Sequence, residues 1–327
     1  MRVDTRFGVL ECSPGKKFFA VVTDSISNAI RVSEIYQAHK YGFKIKLALL
    51  PGEEVGRKKF GICRVGVAPV RRFDDSTSEQ VTQVLYGESF DVLQIRDNWV
   101  RVRLTTDGYI GWVALAQVSL FKEDEYRKFE SISRMYVSKK TAGLLEEPDS
   151  SSGIAREIVR GCPLAVAGQT DGFWKIKTPD GDITFVEKTS AVENIPESDF
   201  SIGRLLATAF SFKGVSYVWG GRSPMGFDCS GFIQTVFALN GIALPRDADL
   251  QFQAGKAIGK SFRKLRAGDL LFFSSNGDKI SHVALYIGKN KQFIHSSGFV
   301  RVGSFDRGRK DFDKNLLAKF VGACRII

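Results

Sequence analysis

The chain has 327 residues and a mass of 36.3 kDa, which indicates about two to four domains rather than one. Its 43% hydrophobic and 25% charged residues exclude the disordered, collagen-like and low-complexity classes. No apolar run approaches the ~20 residues of a membrane helix, and the charged first 20 residues do not read as a signal peptide. We therefore expect a folded multidomain protein with no transmembrane segment.

The net charge of +11 is concentrated toward the C-terminus, where residues 196–327 hold 19 Lys and Arg against 10 Asp and Glu, a net +9. These charges are scattered singly, without a basic helix, a zinc finger or an aromatic RNA-binding pattern. We therefore expect no nucleic-acid partner. An acidic small molecule, an acidic polymer or an ordinary solvated surface fits the charge equally well.

The first part of the chain has the pattern of a small β-α-β unit. A strand is predicted over 18–22, a helix over 25–39 and a second strand over 43–50, which Pro51 and Gly52 end. We predict that this N-terminal unit spans residues 1–58.

Short alternating segments follow, and they indicate small β-barrels. The predicted strands of the first barrel are 65–70, 84–86, 90–95, 100–104 and 109–113. Its turn signals return about 60 residues later, which indicates a divergent internal repeat joined by a helix-prone segment, 122–133. We predict one barrel over 59–120, and a linker helix with a second barrel over 121–195.

The last part, 196–327, has an α+β pattern. Ile202, Leu205, Leu206, Ala209 and Phe210 share one face of a predicted helix that ends near Gly214. A second, buried helix begins at Cys229 and stops at Asn240-Gly241. Three strand candidates come next, at 269–274, 281–287 and 292–296.

The five cysteines, at 12, 63, 162, 229 and 324, form no CxxC pair, so a zinc site or a disulfide framework is not expected. Cys229 alone begins a predicted helix, where free N–H groups and the helix dipole favour a thiolate. It is therefore the candidate nucleophile. The alternative is a small buried core residue.

Two of the three histidines, His282 and His295, flank Gly288-Lys289. If those two residues form a hairpin loop, the two imidazoles lie directly opposite each other on neighbouring strands. One ring then acts as a base and the other orients it. His39 is most simply a surface residue of the N-terminal helix.

A cysteine at a helix start and an oriented histidine on an adjacent sheet form the papain-type arrangement for acyl transfer. Five motifs stand in order in this region: Tyr217-Val218-Trp219-Gly220-Gly221, Phe227-Asp228-Cys229-Ser230-Gly231-Phe232, Leu244-Pro245-Arg246-Asp247, Ala267-Gly268-Asp269-Leu270 and Ser281-His282-Val283-Ala284. In order and spacing, residues 200–327 resemble the NlpC-type cell-wall cysteine peptidases. The upstream repeat resembles bacterial SH3-like domains, and the whole arrangement resembles YkfC-type γ-D-glutamyl-L-diamino-acid endopeptidases.

The resemblance implies a Cys-His-His triad of Cys229, His282 and His295. Cys229 attacks the amide joining γ-D-glutamate to meso-diaminopimelate or L-Lys and forms a thioester, while His282 protonates the leaving amine. The Cys229 N–H and the Tyr217 hydroxyl are the implied oxyanion donors. The partners implied are peptidoglycan stem peptides, with no cofactor, and the expected state is a monomer.

The resemblance also implies a set of residues that bind substrate or brace the site: Trp219, Asp228, Ser230, Arg246 and Asp247. Glu88 and Tyr109 of the first barrel are expected to hold the free ammonium group of an amino-terminal L-alanine. The chain departs from some relatives at Ala248, where they place a serine, so one substrate hydrogen bond is expected to be absent.

Taken together, the expected fold is a multidomain α+β chain: a β-α-β unit, two SH3-like barrels and a papain-like peptidase domain. A non-catalytic cell-wall binding protein that uses its SH3-like barrels is the alternative, against which the triad argues. Acyl transfer to a lipid lacks any amphipathic or apolar membrane-binding segment. We expect the protein in the cell envelope, exported with its signal removed, or alternatively in the cytoplasm as a peptide-recycling enzyme.

Overall fold

The computed structural model describes residues 3–14, 18–39, 44–193, 200–275, 277, 279–289 and 291–327. Within these residues, 25 strands form five sheets of three, seven, seven, two and six strands. No helix in the described part of the chain is long and apolar enough to cross a membrane.

The N-terminal unit is a three-stranded sheet with one helix. Its elements are β1 (Leu10–Pro14), β2 (Phe18–Thr23), α1 (Ile26–His39) and β3 (Lys44–Leu49). Strands β2 and β3 are parallel, which confirms the predicted β-α-β unit, although Phe43 lies outside the described residues. Strand β1, antiparallel to β2, was not predicted because this exposed edge strand has no apolar alternation.

Two seven-stranded barrels follow. The first contains β4 (Phe60–Cys63), β5 (Val67–Arg71), β6 (Gln80–Leu85), β7 (Ser89–Arg96), β8 (Trp99–Leu104), β9 (Ile110–Ala114) and β10 (Val118–Phe121). Helix α2 (Glu123–Glu130) leads to the second, made of β11 (Arg134–Val137), β12 (Thr141–Leu145), β13 (Ile154–Val159), β14 (Pro163–Thr170), β15 (Phe173–Lys177), β16 (Ile183–Glu187) and β17 (Ala191–Val192).

The two barrels have the same topology. The strand order is β10-β4-β7-β8-β9-β5-β6 in the first and β13-β12-β16-β15-β14-β11-β17 in the second, which is the equivalent order read from the other edge. Equivalent turns carry glycines with left-handed φ values, 78° at Gly87 and 91° at Gly161. The predicted internal repeat is therefore confirmed.

The C-terminal domain is a six-stranded antiparallel sheet with helices. Its elements are α3 (Ile202–Ser211), β18 (Arg222–Ser223), β19 (Gly226–Phe227), α4 (Cys229–Ala238), α5 (Ala248–Ala254), β20 (Lys256–Gly259), β21 (Leu270–Ser274), β22 (Ile280–Tyr286), β23 (Gln292–Ser297), β24 (Phe299–Ser304), α6 (Lys314–Lys319) and β25 (Phe320–Arg325). The sheet order is β20-β25-β21-β22-β23-β24. Both predicted helices and all three predicted strands are present, whereas β18, β19, β20, β24, β25, α5 and α6 were not predicted.

Strand β21 shows why this sheet can hold a buried helix. Leu270 and Phe272 belong to the core that α4 fills, whereas Leu271 and Phe273 face a second apolar cluster. Both faces of the sheet are therefore buried, and the strand is an uninterrupted apolar run. Helix α4 packs on one face, so the residue at its start is set at the edge of the core.

The division of the chain at residues 58, 120 and 195 stays a prediction. Strand β4 begins at Phe60, close to the first limit, and β10 runs through Phe121, one residue past the second. The third limit falls in 194–199, outside the described residues.

Gly87 lies where the first barrel contacts the second. A Cβ atom on Gly87 would lie 2.2 Å from the Pro163 carbonyl oxygen of the second barrel. Gly172 has a similar φ of 75° but nothing within 4 Å of its Cβ position, so it is the matched control. We expect Gly172→Ala to cost about 1 kcal/mol, from backbone strain alone.

Gly87→Ala carries the same strain plus the clash, which adds about 1–3 kcal/mol. Thermal melts of the two variants check the difference. Equal melting midpoints would mean that the barrels do not contact each other at this turn.

Candidate active site

Cys229 is the first residue of α4. The helix begins there because the Asp228 side chain caps it, accepting a hydrogen bond from the Gly231 N–H at 2.7 Å. A Cβ atom on Gly231 would lie 2.1 Å from the Gly221 carbonyl oxygen, so the preceding loop packs directly on the first turn. Cys229 is 8% exposed, at the floor of a cleft.

Arg246 holds this helix start from behind. It is 1% exposed and forms a buried ion pair with Asp228, whose two carboxylate oxygens accept hydrogen bonds from the two Nη atoms of Arg246. Arg246 also donates to the Ser230 hydroxyl at 3.0 Å and to the Thr82 hydroxyl of the first barrel at 2.9 Å. Because its donors are taken up by protein groups, Arg246 braces the site and does not line the cleft.

The two histidines are in contact. The His282 Nε2 atom lies 2.8 Å from His295 Nδ1, and the rings meet edge to face at 82°. The predicted register was wrong, however, because β22 and β23 pair Leu285 with Ile294 and Tyr286 with Phe293. The turn lies one residue further along the chain than predicted, so the imidazoles meet diagonally rather than directly across.

Burial keeps the thiol and both imidazoles neutral. Burial, reinforced by the charge of Asp228, raises the pKa of Cys229 to about 12, although the N–H groups of Val283 and Ser230 oppose the shift. Burial lowers the pKa of His282 to about 4, and Arg301 adds to that shift. The thiolate favoured by the helix start alone is therefore not the resting form. His282 is neutral as well, which is the form in which an imidazole can accept a proton.

Tyr217 lies beside the thiol. It follows α3, and its main chain bonds to Gly298 and bridges to Phe227, which places the half-buried ring at the cleft. Burial raises the pKa of Tyr217, and the negative charge of Asp228 raises it further, so the hydroxyl keeps its proton. With the Cys229 N–H, which has no intrahelical acceptor in the first turn, it supplies a second donor near the sulfur.

The cleft has a volume of about 1180 Å³ and is built by three parts of the chain. Seven of the residues predicted from the sequence line it: Tyr109, Tyr217, Trp219, Asp228, Cys229, Ser230 and Asp247. Ala248 lines it as well, without the hydroxyl that some relatives are expected to have. His282, His295 and Arg246 stand behind this lining.

Glu88 does not line the cleft, so its predicted place at the substrate was wrong. It forms a buried ion pair with Arg222 and accepts a hydrogen bond from the Leu85 N–H at 2.8 Å. These contacts hold it at a separate cavity of about 410 Å³ between the barrels and α4. Glu79 is the barrel carboxylate in the cleft, where it accepts from Trp219 Nε1 at 2.9 Å and from Arg72.

Sequence reasoning also missed six residues of the cleft lining: Asp4, Arg6, Arg72, Asp249, Lys279 and Ser281. Asp249, Lys279 and Ser281 lie in or within two residues of the motifs, whereas Asp4, Arg6 and Arg72 reach the cleft only through the packing of separate domains. Among the described lining residues, five carboxylates face three cations, a net charge of −2. The +9 of the C-terminal part is therefore not concentrated in the cleft, which favours the solvated surface among the three readings of that charge.

These features define a class of protein. A helix-start thiol and a contacting imidazole pair on a papain-like helix-and-sheet core are the features of a cysteine hydrolase.

Comparison with known proteins identifies the family. Residues 214–314 match the model of the NlpC/P60 family, and residues 70–118 match that of the bacterial dipeptidyl-peptidase SH3 domain. The chain is 34% identical to the γ-D-glutamyl-L-lysine dipeptidyl-peptidase of Bacillus subtilis, over 66% of this chain and 71% of that protein. It is 29% identical to dipeptidyl-peptidase 6 of Lysinibacillus sphaericus, over 71% and 86%. The chain belongs to the NlpC/P60 family and is a cysteine peptidase related to peptidoglycan endopeptidases.

Solved structures support the fold. An NlpC/P60 family protein from Bacillus cereus superposes with a TM-score of 0.70 at 24% identity, covering 82% of this chain and 99% of the other. An NlpC/P60 endopeptidase from Photobacterium damselae gives 0.64 at 16% identity, covering 92% and 78%.

The histidine contact predicts a ranking of variants. Because His295 meets His282 through Nδ1, an Asn amide reproduces the contact better than the longer Gln. We expect His295→Asn to keep more kcat/KM than His295→Gln, and His282→Ala and Cys229→Ala to lose about 10⁴-fold or more. Peptide hydrolysis assays check the ranking. Equal losses for His282→Ala and His295→Asn would contradict the orienting role.

The pKa directions predict an unusual pH profile. His282 accepts the thiol proton only when neutral, so kcat/KM falls as the pH drops toward its lowered pKa of about 4. The raised pKa of Cys229 adds no limb near neutrality, and we expect a flat profile between about pH 6 and 9. Circular dichroism at each pH separates the acid limb from unfolding. A limb centred near pH 7 would mean that His282 is not buried and neutral.

Proposed function

We propose that the enzyme hydrolyses the γ-D-glutamyl–L-diamino acid amide bond of peptidoglycan stem peptides, with meso-diaminopimelate or L-Lys as the diamino acid. We propose further that it prefers a free amino-terminal L-alanine. The observation that carries this proposal is the cleft itself, which has the thiol and Tyr217 in one part and a carboxylate cluster in another. The relatives named as dipeptidyl-peptidases support the same substrate class.

The acidic part of the cleft suits an ammonium group. Asp247 and Glu79 line it, and Tyr109 donates its hydroxyl to Asp247 Oδ2 at 3.2 Å. Trp219 is 62% exposed there and offers a flat apolar face to a peptide. A short peptide that begins with a free amine therefore has its charge matched at one end while its amide reaches Cys229.

In the first half of the reaction, His282 takes the thiol proton and Cys229 Sγ bonds to the carbonyl carbon of γ-D-glutamate. The Cys229 N–H and the Tyr217 hydroxyl stabilise the oxyanion. His282 Nε2 is occupied by His295, so Nδ1 is the ring nitrogen that moves the proton. The same proton passes to the diamino acid nitrogen as the C–N bond breaks, which leaves a thioester.

In the second half, a water molecule attacks the thioester and gives its proton to His282. The C–S bond breaks, the carboxylic acid leaves, and the sulfur recovers a proton from His282. His295 holds the ring throughout. Its own Nε2 has no hydrogen-bond partner in the described part of the chain, which suits an orienting group rather than a proton relay.

We propose a monomer that works on stem peptides in the cell envelope. A cytoplasmic place in the recycling of such peptides is the alternative. Both agree with a cleft adapted to a free amine rather than to a glycan-linked chain.

The free-amine preference is tested with L-Ala-γ-D-Glu-meso-diaminopimelate and its N-acetylated form. Acetylation removes the ammonium that Asp247 and Glu79 are proposed to face, and we expect the loss of this ion pair to lower kcat/KM about 30-fold, or about 2 kcal/mol. Asp247→Asn should shrink this ratio. Equal rates on the two peptides would refute the preference.

Glu88→Gln is the control outside the cleft. We expect its ratio to match the wild type while its melting temperature falls, because the buried Arg222 loses its charge partner. A ratio reduced by Glu88→Gln and not by Asp247→Asn would restore the assignment made from the sequence.

A further inference from the structure

The N-terminal segment reaches the active-site cleft. Residues 4–8 form a turn in which the N–H groups of Phe7 and Gly8 both donate to the Asp4 carbonyl. The Arg6 carbonyl accepts a hydrogen bond of 2.7 Å from the N–H of Ile110, the first residue of β9. The segment is thus tied to the first barrel by its main chain, and the Arg6 side chain points across to the peptidase domain.

The Arg6 guanidinium is held by three carboxylates. Its Nη1 donates to both oxygens of Asp249, at 2.8 and 3.0 Å, and to Asp247 Oδ2 at 3.1 Å. Its Nε and Nη2 donate to Asp4 at 2.8–3.1 Å. One side chain therefore joins the N-terminal segment to the two aspartates at the start of α5.

The two oxygens of the Asp247 carboxylate differ in their hydrogen bonds. Its Oδ2 accepts from both Arg6 and the Tyr109 hydroxyl, whereas no residue in the described ranges donates to Oδ1. Asp247 also lines the cleft. The carboxylate is therefore fixed in orientation before any ligand binds.

We propose that Arg6 is a positioning and specificity-determining residue, which aims Asp247 at the substrate ammonium and closes the cleft behind the first residue of the peptide. This inference rests on the proposed function. Without Arg6, the carboxylates of Asp4, Asp247 and Asp249 repel one another and separate. The end of the cleft that Arg6 closed is then open to acylated or longer peptides.

A purely structural role for Arg6 has a matched control in the same unit. Arg103 of β8 pairs with Asp24, and this ion pair also ties the N-terminal unit to the first barrel, but neither residue lines the cleft. If Arg6 only docks the unit, Arg103→Gln and Arg6→Ala have the same effect on the enzyme. If Arg6 positions Asp247, only Arg6→Ala changes which peptides bind.

The test measures kcat and KM on the free and N-acetylated tripeptides. We expect Arg6→Ala to raise KM for the free peptide about 10-fold, with kcat within about 2-fold of wild type. The ratio of kcat/KM between the two peptides should fall from about 30-fold to below about 5-fold. Arg6→Lys should keep part of the wild-type ratio, and Arg103→Gln should keep all of it.

Calorimetric binding of both peptides to Cys229→Ala, with and without Arg6→Ala, provides a readout independent of the bond that is cleaved. Asp249→Asn weakens the contact with Arg6 without changing any residue of the N-terminal segment, and it should shift the binding ratio in the same direction. A ratio that Arg6→Ala and Asp249→Asn leave unchanged overturns the inference even when the proposed function stands. Failure of the wild type to cleave the free peptide, with a binding ratio that Arg6→Ala still lowers, overturns the proposed function alone.

Discussion

The buried ion pair of Asp228 and Arg246 is the contact on which the site depends. Asp228 caps the helix that carries Cys229 and accepts a hydrogen bond from the Gly220 N–H, so the nucleophile and the loop beside it share one anchor. Arg246 joins that anchor to Thr82 of the first barrel. Removing either partner would leave the other as an unpaired buried charge, at a cost of about 3–5 kcal/mol, so the two side chains hold each other in place. The same ion pair therefore fixes both the position of the Cys229 sulfur and the position of the first barrel, which forms one side of the cleft.

Local signals in the sequence were enough to place the Cys229 thiol at a helix start and the two histidines in contact. A helix start is marked by a capping side chain and a following apolar stripe, so Cys229 was found by rules that act over a few residues. The His282 and His295 contact was also found, although the register was wrong because a loop centre one residue further along changes every pair. The repeat of the barrels was visible because each turn needs a glycine with positive φ at the same place.

The rest of the cleft was not predictable for a physical reason. Glu79 and Glu88 are both carboxylates of one barrel, and only the docking of that barrel decides that Glu79 meets Trp219 in the cleft while Glu88 pairs with Arg222 outside it. Arg6 stands more than 200 residues from its partners Asp247 and Asp249, and no spacing rule connects such positions. The net charge could not predict the charge of the cleft either, because a total over 132 residues says nothing about the sign inside one cleft.

The cleft walls come from the beginning, the middle and the end of the chain, and this order has a consequence for biosynthesis. Chains are made from the N-terminus, so Arg6, Glu79 and Tyr109 leave the ribosome before Cys229 exists. Asp247 and Asp249 follow Cys229, and His282 and His295 follow them, so the partners of Arg6 and the paired imidazoles are made after the thiol. A nascent or prematurely ended chain that stops before residue 247 carries the thiol without these aspartates and histidines, and the cleft is complete only when the whole peptidase domain has been made.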